Sequence, residues 1–342
     1  MVSRLAAVEL DWPRLVLGGL VVALLLSAGV AAATSQAAFG LYNPDWDGTS
    51  DVRTALEDDP DVEATVVREA DAYADFEPES TVAIVVAPDE PYDGADAERV
   101  RTFVEAGGTL VVLENFETPG EALLAAVGAE ARPDGRLLLD EHRHHHGPAM
   151  PVATGVEPHP LTDGVDRLTL NYATAIEPGN ATPVVTSSAY GYLGADAADE
   201  PGDDDELAAY PVVTVEAVGA GTVVAGGDPS IVINTMYAEP DNARFVENLV
   251  ADADHVAIDL SHAEALPPLR AALLTLRSSV LLQALVGLAL VAGAIAAARP
   301  VEALSRVLPG SVERRQRDRE TDRDGRAIEA FNRPKAKRDD DR

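Results

Sequence analysis

Thr81–Val86 (TVAIVV), the loop Ala87–Gly94 (APDEPYDG), Ala95–Ala106 (ADAERVRTFVEA), Gly107-Gly108 and Thr109–Leu113 (TLVVL) form the stretch on which the fold turns. The two outer runs are apolar without alternation, which predicts strands buried on both faces. Between them Val100, Phe103 and Val104 recur at helical spacing, and the glycine pair ends that helix before the next strand begins. Apolar strands alternating with amphipathic helices predict a mostly parallel α/β sheet with helices on both faces, joined by right-handed crossovers.

Working outward, Val62–Val67 is a second β-rich run, and Ser50 or Asp51 is suited to cap a helix that continues through Leu56. Ala37–Leu41 reads as a short apolar strand leading into a Tyr42-Asn43-Pro44 turn, and Glu121–Val127 as a further helix. From Gly128 to Pro211 the pattern weakens into short β-like runs (Leu137–Leu139, Leu168–Tyr172, Pro183–Ser187), read as an irregular β-rich insertion. Within it Ala195–Glu206 is an acidic loop. Order returns with Val212–Ala217, Gly221–Ala225, the turn Gly226–Ser230 and a helix from Asp241 or Asn242 to Val250, so the domain is expected over 37–255.

Leu15–Ala33 and Ser278–Ala298 carry no charge, and each has about the 20 residues a helix needs to cross the hydrocarbon layer. The first also fits a cleavable signal peptide. Arg4 and Arg14 precede the first run, and Arg299, Arg306, Arg314, Arg315 and Arg317 follow the second. The positive-inside rule then puts residues 1–14 and the charged tail 299–342 in the cytoplasm, with the domain between the two spans outside the cell.

The net charge of −32 is concentrated in that domain. Its basic residues from Thr34 to Leu276 are all arginines, whereas from Arg299 onward 13 Arg or Lys face 10 Asp or Glu. Lysine occurs only at Lys335 and Lys337. The scattered acids suit either a surface for cations or a basic partner, or a solvation shell in high salt. They disfavour nucleic acid, whose phosphates they would repel. No cysteine is present, which excludes disulfides, thiolate metal sites and a cysteine nucleophile. The acid-rich, lysine-poor composition resembles that of proteins from halophilic archaea.

The Tyr42-Asn43…Gly48…Ser50 opening, the Arg99-xxx-Phe103-xxx-Gly107-Gly108-Thr109-Leu110-Val111-Val112 unit, and Gly227-Asp228-Pro229-Ser230…Asn234…Asp241-Asn242-xx-Phe245-xx-Asn248-Leu249 resemble the haloarchaeal members of the domain-of-unknown-function family numbered 4350. The resemblance implies a flavodoxin- or class I glutamine-amidotransferase-like fold, related to auxiliary subunits of gliding-type ABC transporters. It also implies partners among AAA ATPases, von Willebrand A-like proteins and ABC-type components. It implies no activity.

An amidotransferase-like enzyme needs a nucleophile on the turn after a central strand, and that turn here is Glu114-Asn115-Phe116, without a thiol. Asp228-Pro229-Ser230 follows a strand end, where open α/β sheets bind ligands, and Asn43, Ser50, Asn234 and Asn242 could face the same crevice. Their plainer roles are turn-making and helix capping. His142, His144 and His146 alternate at a spacing that could hold a metal, or form a solvated loop. No GxGxxG or Walker pattern is present, and no cofactor is expected. Asn180-Ala181-Thr182 is a glycosylation sequon.

The sequence thus points to a membrane-anchored, extracytoplasmic module that binds a ligand or partner protein, as a non-catalytic subunit of a membrane complex. The alternative is a cell-surface hydrolase using Asp228, Glu114 or the histidines.

Overall fold

The computed structural model describes residues 12–202, 207–263 and 267–307. Residues 1–11 and 308–342, expected to be cytoplasmic, and 203–206 of the acidic loop lie outside the described residues.

The chain opens with helix α1 (Trp12–Ala33) and helix α2 (Ser50–Asp58), then strands β1 (Glu63–Val67) and β2 (Thr81–Val86). Helix α3 (Gly94–Glu105), strand β3 (Thr109–Leu113) and helix α4 (Thr118–Val127) follow. A run of strands comes next: β4 (Arg132–Asp140), β5 (Val152–Ala153), β6 (Gly155–Val156), β7 (Leu168–Thr169), β8 (Thr174–Glu177), β9 (Thr182–Thr186), β10 (Gly191–Gly194), β11 (Pro211–Val218) and β12 (Gly221–Gly226). Helices α5 (Asn234–Tyr237) and α6 (Asn242–Val250) lead to β13 (His255–Asp259), and α7 (Pro268–Ser278) and α8 (Val280–Val307) close the described chain.

Among the described residues the main sheet has eight strands in the order β1-β13-β2-β3-β12-β11-β9-β6. Its first five are mutually parallel, and β11, β9 and β6 continue it by antiparallel pairing. Side chains alternate across the pleat. Val82, Ile84, Val111 and Leu113 join Val52 and Leu56 of α2 and Phe245, Val246 and Leu249 of α6 in one core cluster. Ala83, Val85, Leu110 and Val112 face the other way, onto Val100, Phe103 and Val104 of α3 and Leu123, Leu124 and Val127 of α4. Helices therefore cover both faces of the parallel half, as its unbroken apolar strands require.

Local signals set the helix ends. The Asp93 carboxylate accepts the Ala95 and Asp96 N–H groups at 2.8 and 2.9 Å, starting α3. Gly107 stops the helix with φ of +117°. Gly108 lies under the Phe103 ring, where a Cβ would come within 2.4 Å of Cζ. The two glycines thus do different work, one for φ and one for space.

Two features depart from the expectations. Ala37–Leu41 is not a strand: Gly40 N–H bonds Ala37 O in a tight turn and Phe39 takes a left-handed φ of 59°. Nor does the domain end at 255, since His255–Asp259 is a strand in the middle of the parallel half, paired with β1 and β2. A wholly buried run such as HVAID offers no amphipathic pattern that marks it as interior to the sheet rather than beyond it. The membrane spans are met in part. By length and composition the described residues hold one helix able to cross a bilayer, Val16–Ala33 of α1, or two if a bent pair is counted as one span. That pair, Ala271–Arg277 and Val280–Gly293, bends by 105°. The described residues up to Ala271 form one compact unit and those from Ala272 another.

Leu110 is fully buried between β3's neighbours and α3. Leu110→Ala should lower the unfolding free energy by about 2–5 kcal/mol, read as a shift of the denaturant midpoint of the detergent-solubilised chain with an unchanged slope.

Candidate functional site

The chain leaves β3 into α4 on one face of the sheet and leaves the adjacent β12 toward α6 on the other. This divergence at the carboxyl ends of neighbouring strands is where open α/β sheets bind ligands. Glu114 and Asp228, the residues just past this point, are both buried.

The crevice is filled by the chain itself. Thr174 N–H bonds Gly227 O at 2.8 Å, the Asn115 amide bonds Tyr172 O at 3.0 Å, and Asn171 N–H bonds the Asp228 carboxylate at 2.7 Å. A Cβ on Gly227 would sit 2.2 Å from Thr174 O, so glycine is needed for this close approach. Glu114 accepts Asn115 N–H at 2.9 Å and Gly120 N–H at 3.1 Å, fastening the start of α4. Asp228 also accepts Ser230 N–H at 2.8 Å. Burial pushes both carboxyls up to about 7, outweighing the N–H groups that would lower them.

Asn43, Ser50 and Asn234 come together, as a clasp between the opening loop and α5. The Asn234 amide donates to Asn43 O, Asp45 O and Ser50 Oγ at 3.2, 2.6 and 3.2 Å, and its oxygen accepts Asp51 N–H at 2.9 Å. Asn43 donates to Ala37 O and Asp47 Oδ1. Asn242 is apart from them, binding Thr169 N–H and O and Met236 O at the head of α6. These groups are bonded within the chain, but the N-cap residues of α2 and α6 are Thr49 and Asp241, and neither makes a side-chain cap, so Ser50 and Asn242 are not the caps expected.

The histidines diverge. The His142 ring packs on Tyr190, His144 Nδ1 lies 2.9 Å from Asp140 O, and His146 meets His145 at 4.0 Å between ring centres. Among the described residues no three His, Asp or Glu side chains are grouped to hold a metal ion.

An open cleft lies beside the filled crevice, at the carboxyl ends of β13, β2 and β3. Two adjoining hollows share Ala38, Phe39, Ala87 and Asp89; one is rimmed by Asn115–Glu117, and the other is floored by Ile84, Ile258 and Asp259. Asp259, buried at the end of β13, accepts the Tyr73 hydroxyl at 2.7 Å, the Tyr92 hydroxyl at 3.0 Å and Ser261 N–H at 2.7 Å. Burial first, and then the Asp259 charge, hold both phenols far above the usual tyrosine range, so they stay protonated donors. The His262 ring stacks on Tyr92 at 4.0 Å with Nε2 3.2 Å from Asp96, and Arg99 bridges Asp96 and Asp71 at 2.8 and 2.6 Å. This network, which the sequence reading missed, fixes the loops after β1, β2 and β13 to one another. The resemblance of HVAID to TVAIVV was the signal that could have found Asp259. Chemically the cleft is a largely apolar-walled hollow beside a hydrogen-bonded carboxylate floor at Asp259.

The family model of the domain of unknown function DUF4350 matches residues 42–250. The chain belongs to the DUF4350 family. No curated protein matches it. Among solved structures this DUF4350 chain is similar to the N-terminal domain of mmIFT52, with TM-score 0.46 and 12% identity over 59% of this chain and 90% of that one. It is also similar to the cytoplasmic protein STM1381 of Salmonella typhimurium LT2, with TM-score 0.38 and 11% identity over 60% and 87%. A third likeness is to a β-galactosidase of the Antarctic haloarchaeon Halorubrum lacusprofundi, with TM-score 0.33 and 14% identity over 50% of this chain. The DUF4350 chain spans only 22% of that galactosidase.

A carboxyl with a folded pKa raised above its unfolded value of about 4 binds a proton that the unfolded chain has lost. Its contribution to stability is complete below that range and is lost as pH climbs to about 7. The Glu114→Gln, Asp228→Asn double variant should therefore gain stability relative to the parent as pH rises through this window, measured as the difference in urea midpoint. Asn234→Ala should cost about 1–3 kcal/mol, the penalty of leaving clasp partners unpaired, in the same assay.

Proposed function

We propose that the protein is a membrane-anchored, extracytoplasmic binding module that serves as a non-catalytic subunit of a membrane complex, with the carboxyl-end cleft as its contact site. The observation that carries this reading is α1: 22 residues, with a stretch from Val16 to Ala33 that is long and apolar enough to span a bilayer and unburied by the rest of the chain. An uncharged helix of that length left uncovered in water would be a large exposed apolar surface, whereas lipid removes the cost. Arg4 and Arg14 before the apolar stretch of α1, and Arg299, Arg306, Arg314, Arg315 and Arg317 after that of α8, support two spans with both ends in the cytoplasm. The apolar residues Leu281, Leu285, Leu288 and Val291 of α8 are exposed in the same way.

A binding role is favoured over hydrolysis by the fate of the carboxylates. Those of Glu114 and Asp228 accept backbone N–H groups inside the fold, and Asp259 is occupied by two phenols. The many surface acids suit a solvation shell in concentrated salt, as in halophilic archaea. By family analogy the partners are an AAA ATPase, a von Willebrand A-like protein or ABC-type components, in the lipid bilayer and without nucleic acid.

The chain should stay in the membrane pellet through alkaline carbonate, and protease added to intact cells should degrade the 37–259 region while sparing the tail. In mild detergent it should co-purify with integral membrane proteins. Ala38→Trp, which fills the cleft from an exposed position, should abolish that capture without shifting thermal unfolding. Co-purification of stoichiometric metal with hydrolytic turnover, and no membrane partners, would overturn the proposal.

A further inference from the structure

We infer that the carboxyl edge of the sheet rests against the outer surface of the bilayer, with Trp46, Phe116 and Tyr172 set into the lipid headgroup layer around the cleft. The inference rests on α1 being a membrane span, and adds to that reading the direction in which the domain faces.

Three independent observations lead to it. The first is the absence of slack between span and domain. Thr34 N–H still bonds Val30 O at 3.0 Å, continuing the helical pattern, and Ser35 N–H already bonds Tyr42 O at 3.1 Å within the domain. A residue extends the chain by at most about 3.5 Å, so Ser35 lies within a few ångströms of the level at which α1 leaves hydrocarbon. Val16–Ala33 is 18 residues, and at about 1.5 Å per residue it nearly matches the roughly 30 Å hydrocarbon thickness. Ala33 therefore falls at the outer boundary of that layer, and Ser35, which lines the cleft, falls among the headgroups.

The second observation is where the chain leaves the fold. After β13 it passes Ala263 and Pro267, which line the same cleft as Ser35 and Phe39. Entry and exit are thus at one edge of the sheet. With entry and exit together, a domain tied to α1 at that edge cannot turn it far from the surface to which it is tied.

The third is composition. Only 5% of the chain is aromatic, and its surface is otherwise acidic and polar. Yet Trp46 is 66%, Tyr172 49% and Phe116 41% exposed. All three sit at this edge. Phe116 rims the cleft, the Asn115 amide holds the Tyr172 backbone, and Phe39 N–H bonds Asp47 O at 2.7 Å, tying the loop of Trp46 to the cleft wall. Among the described residues the other exposed aromatics are Trp12, on α1, and Tyr190, which packs on His142. Aromatic side chains gain most at the boundary between hydrocarbon and water, where an apolar body and a polar edge are both accommodated. Asp89 and Glu117 on the same rim disfavour an anionic lipid surface, so the contact is made by the rings and not by charge.

The two tryptophans allow a direct test, because Trp12→Phe leaves Trp46 as the single emitter. The full-length variant is reconstituted in phosphatidylcholine vesicles, with and without bromine on the acyl chain close to the headgroup. The expected result is loss of most Trp46 emission in the brominated vesicles, together with emission shifted to shorter wavelength relative to detergent-free urea-unfolded chain. Undiminished emission from a chain that alkaline carbonate does not extract overturns the orientation and leaves the anchor standing. Extraction by carbonate removes the anchor, and the orientation falls with it.

Discussion

A parallel strand can be stable in the middle of a domain only if both of its faces are buried, and this requirement organises the protein. The five parallel strands carry apolar side chains on both sides of the pleat, so the chain must return helices to each face. That return is what makes α3 and α4 cover one face and α2 and α6 the other. It also places the last strand between β1 and β2 instead of on an edge, since Val256, Ala257 and Ile258 are apolar and buried. The far half of the sheet obeys a looser rule. Antiparallel strands tolerate a mixed face, and β11 and β9 accordingly include Pro211 and Pro183, a residue that a central strand disfavours because it cannot donate to the ladder.

That division has a consequence for the site. The crevice between diverging strands, the usual place for a ligand, is closed by Asn171–Thr174 from the β-rich region. The insertion contributes to the core as well, through Leu138, Leu168, Leu170 and Val184, so it is not a lid resting on a finished domain. Removing it would expose the apolar face beneath. The usable opening is consequently displaced one or two strands along the edge, to the loops after β13, β2 and β3, which the Asp259–tyrosine network and the Asp96–His262 contact hold in place.

The local elements were legible where periodicity and punctuation agree. TVAIVV, TLVVL and the glycine pair between α3 and β3 could be read directly, because the apolar pattern, the helix stop and the strand start coincide there. Asn43, Ser50 and Asn234 could be named but not interpreted: a side-chain amide that clasps two loops has the same sequence signature as one that binds a ligand, and only the partners at hydrogen-bond distance separate them. Ala37–Leu41 failed for a different reason. Its apolar residues suit a strand, but Gly40 and a left-handed Phe39 bend it into a turn, and a single sequence does not reveal a positive φ at phenylalanine. Tyr73, Tyr92 and Asp259 lie far apart along the chain, and nothing local predicts that they meet.

The buried carboxyls hold the closed crevice together. Asp228 and Glu114 stand where neighbouring strands diverge, and both are committed to backbone N–H groups of the loops that close the crevice. An acid that must release those bonds to act on a substrate would also release α4 and the 171–174 segment, so reactivity and closure oppose each other. What survives at the surface of this edge is shape and aromatic area. The buried carboxyls are thus part of what holds the crevice shut, and the exposed rings lie around the neighbouring cleft.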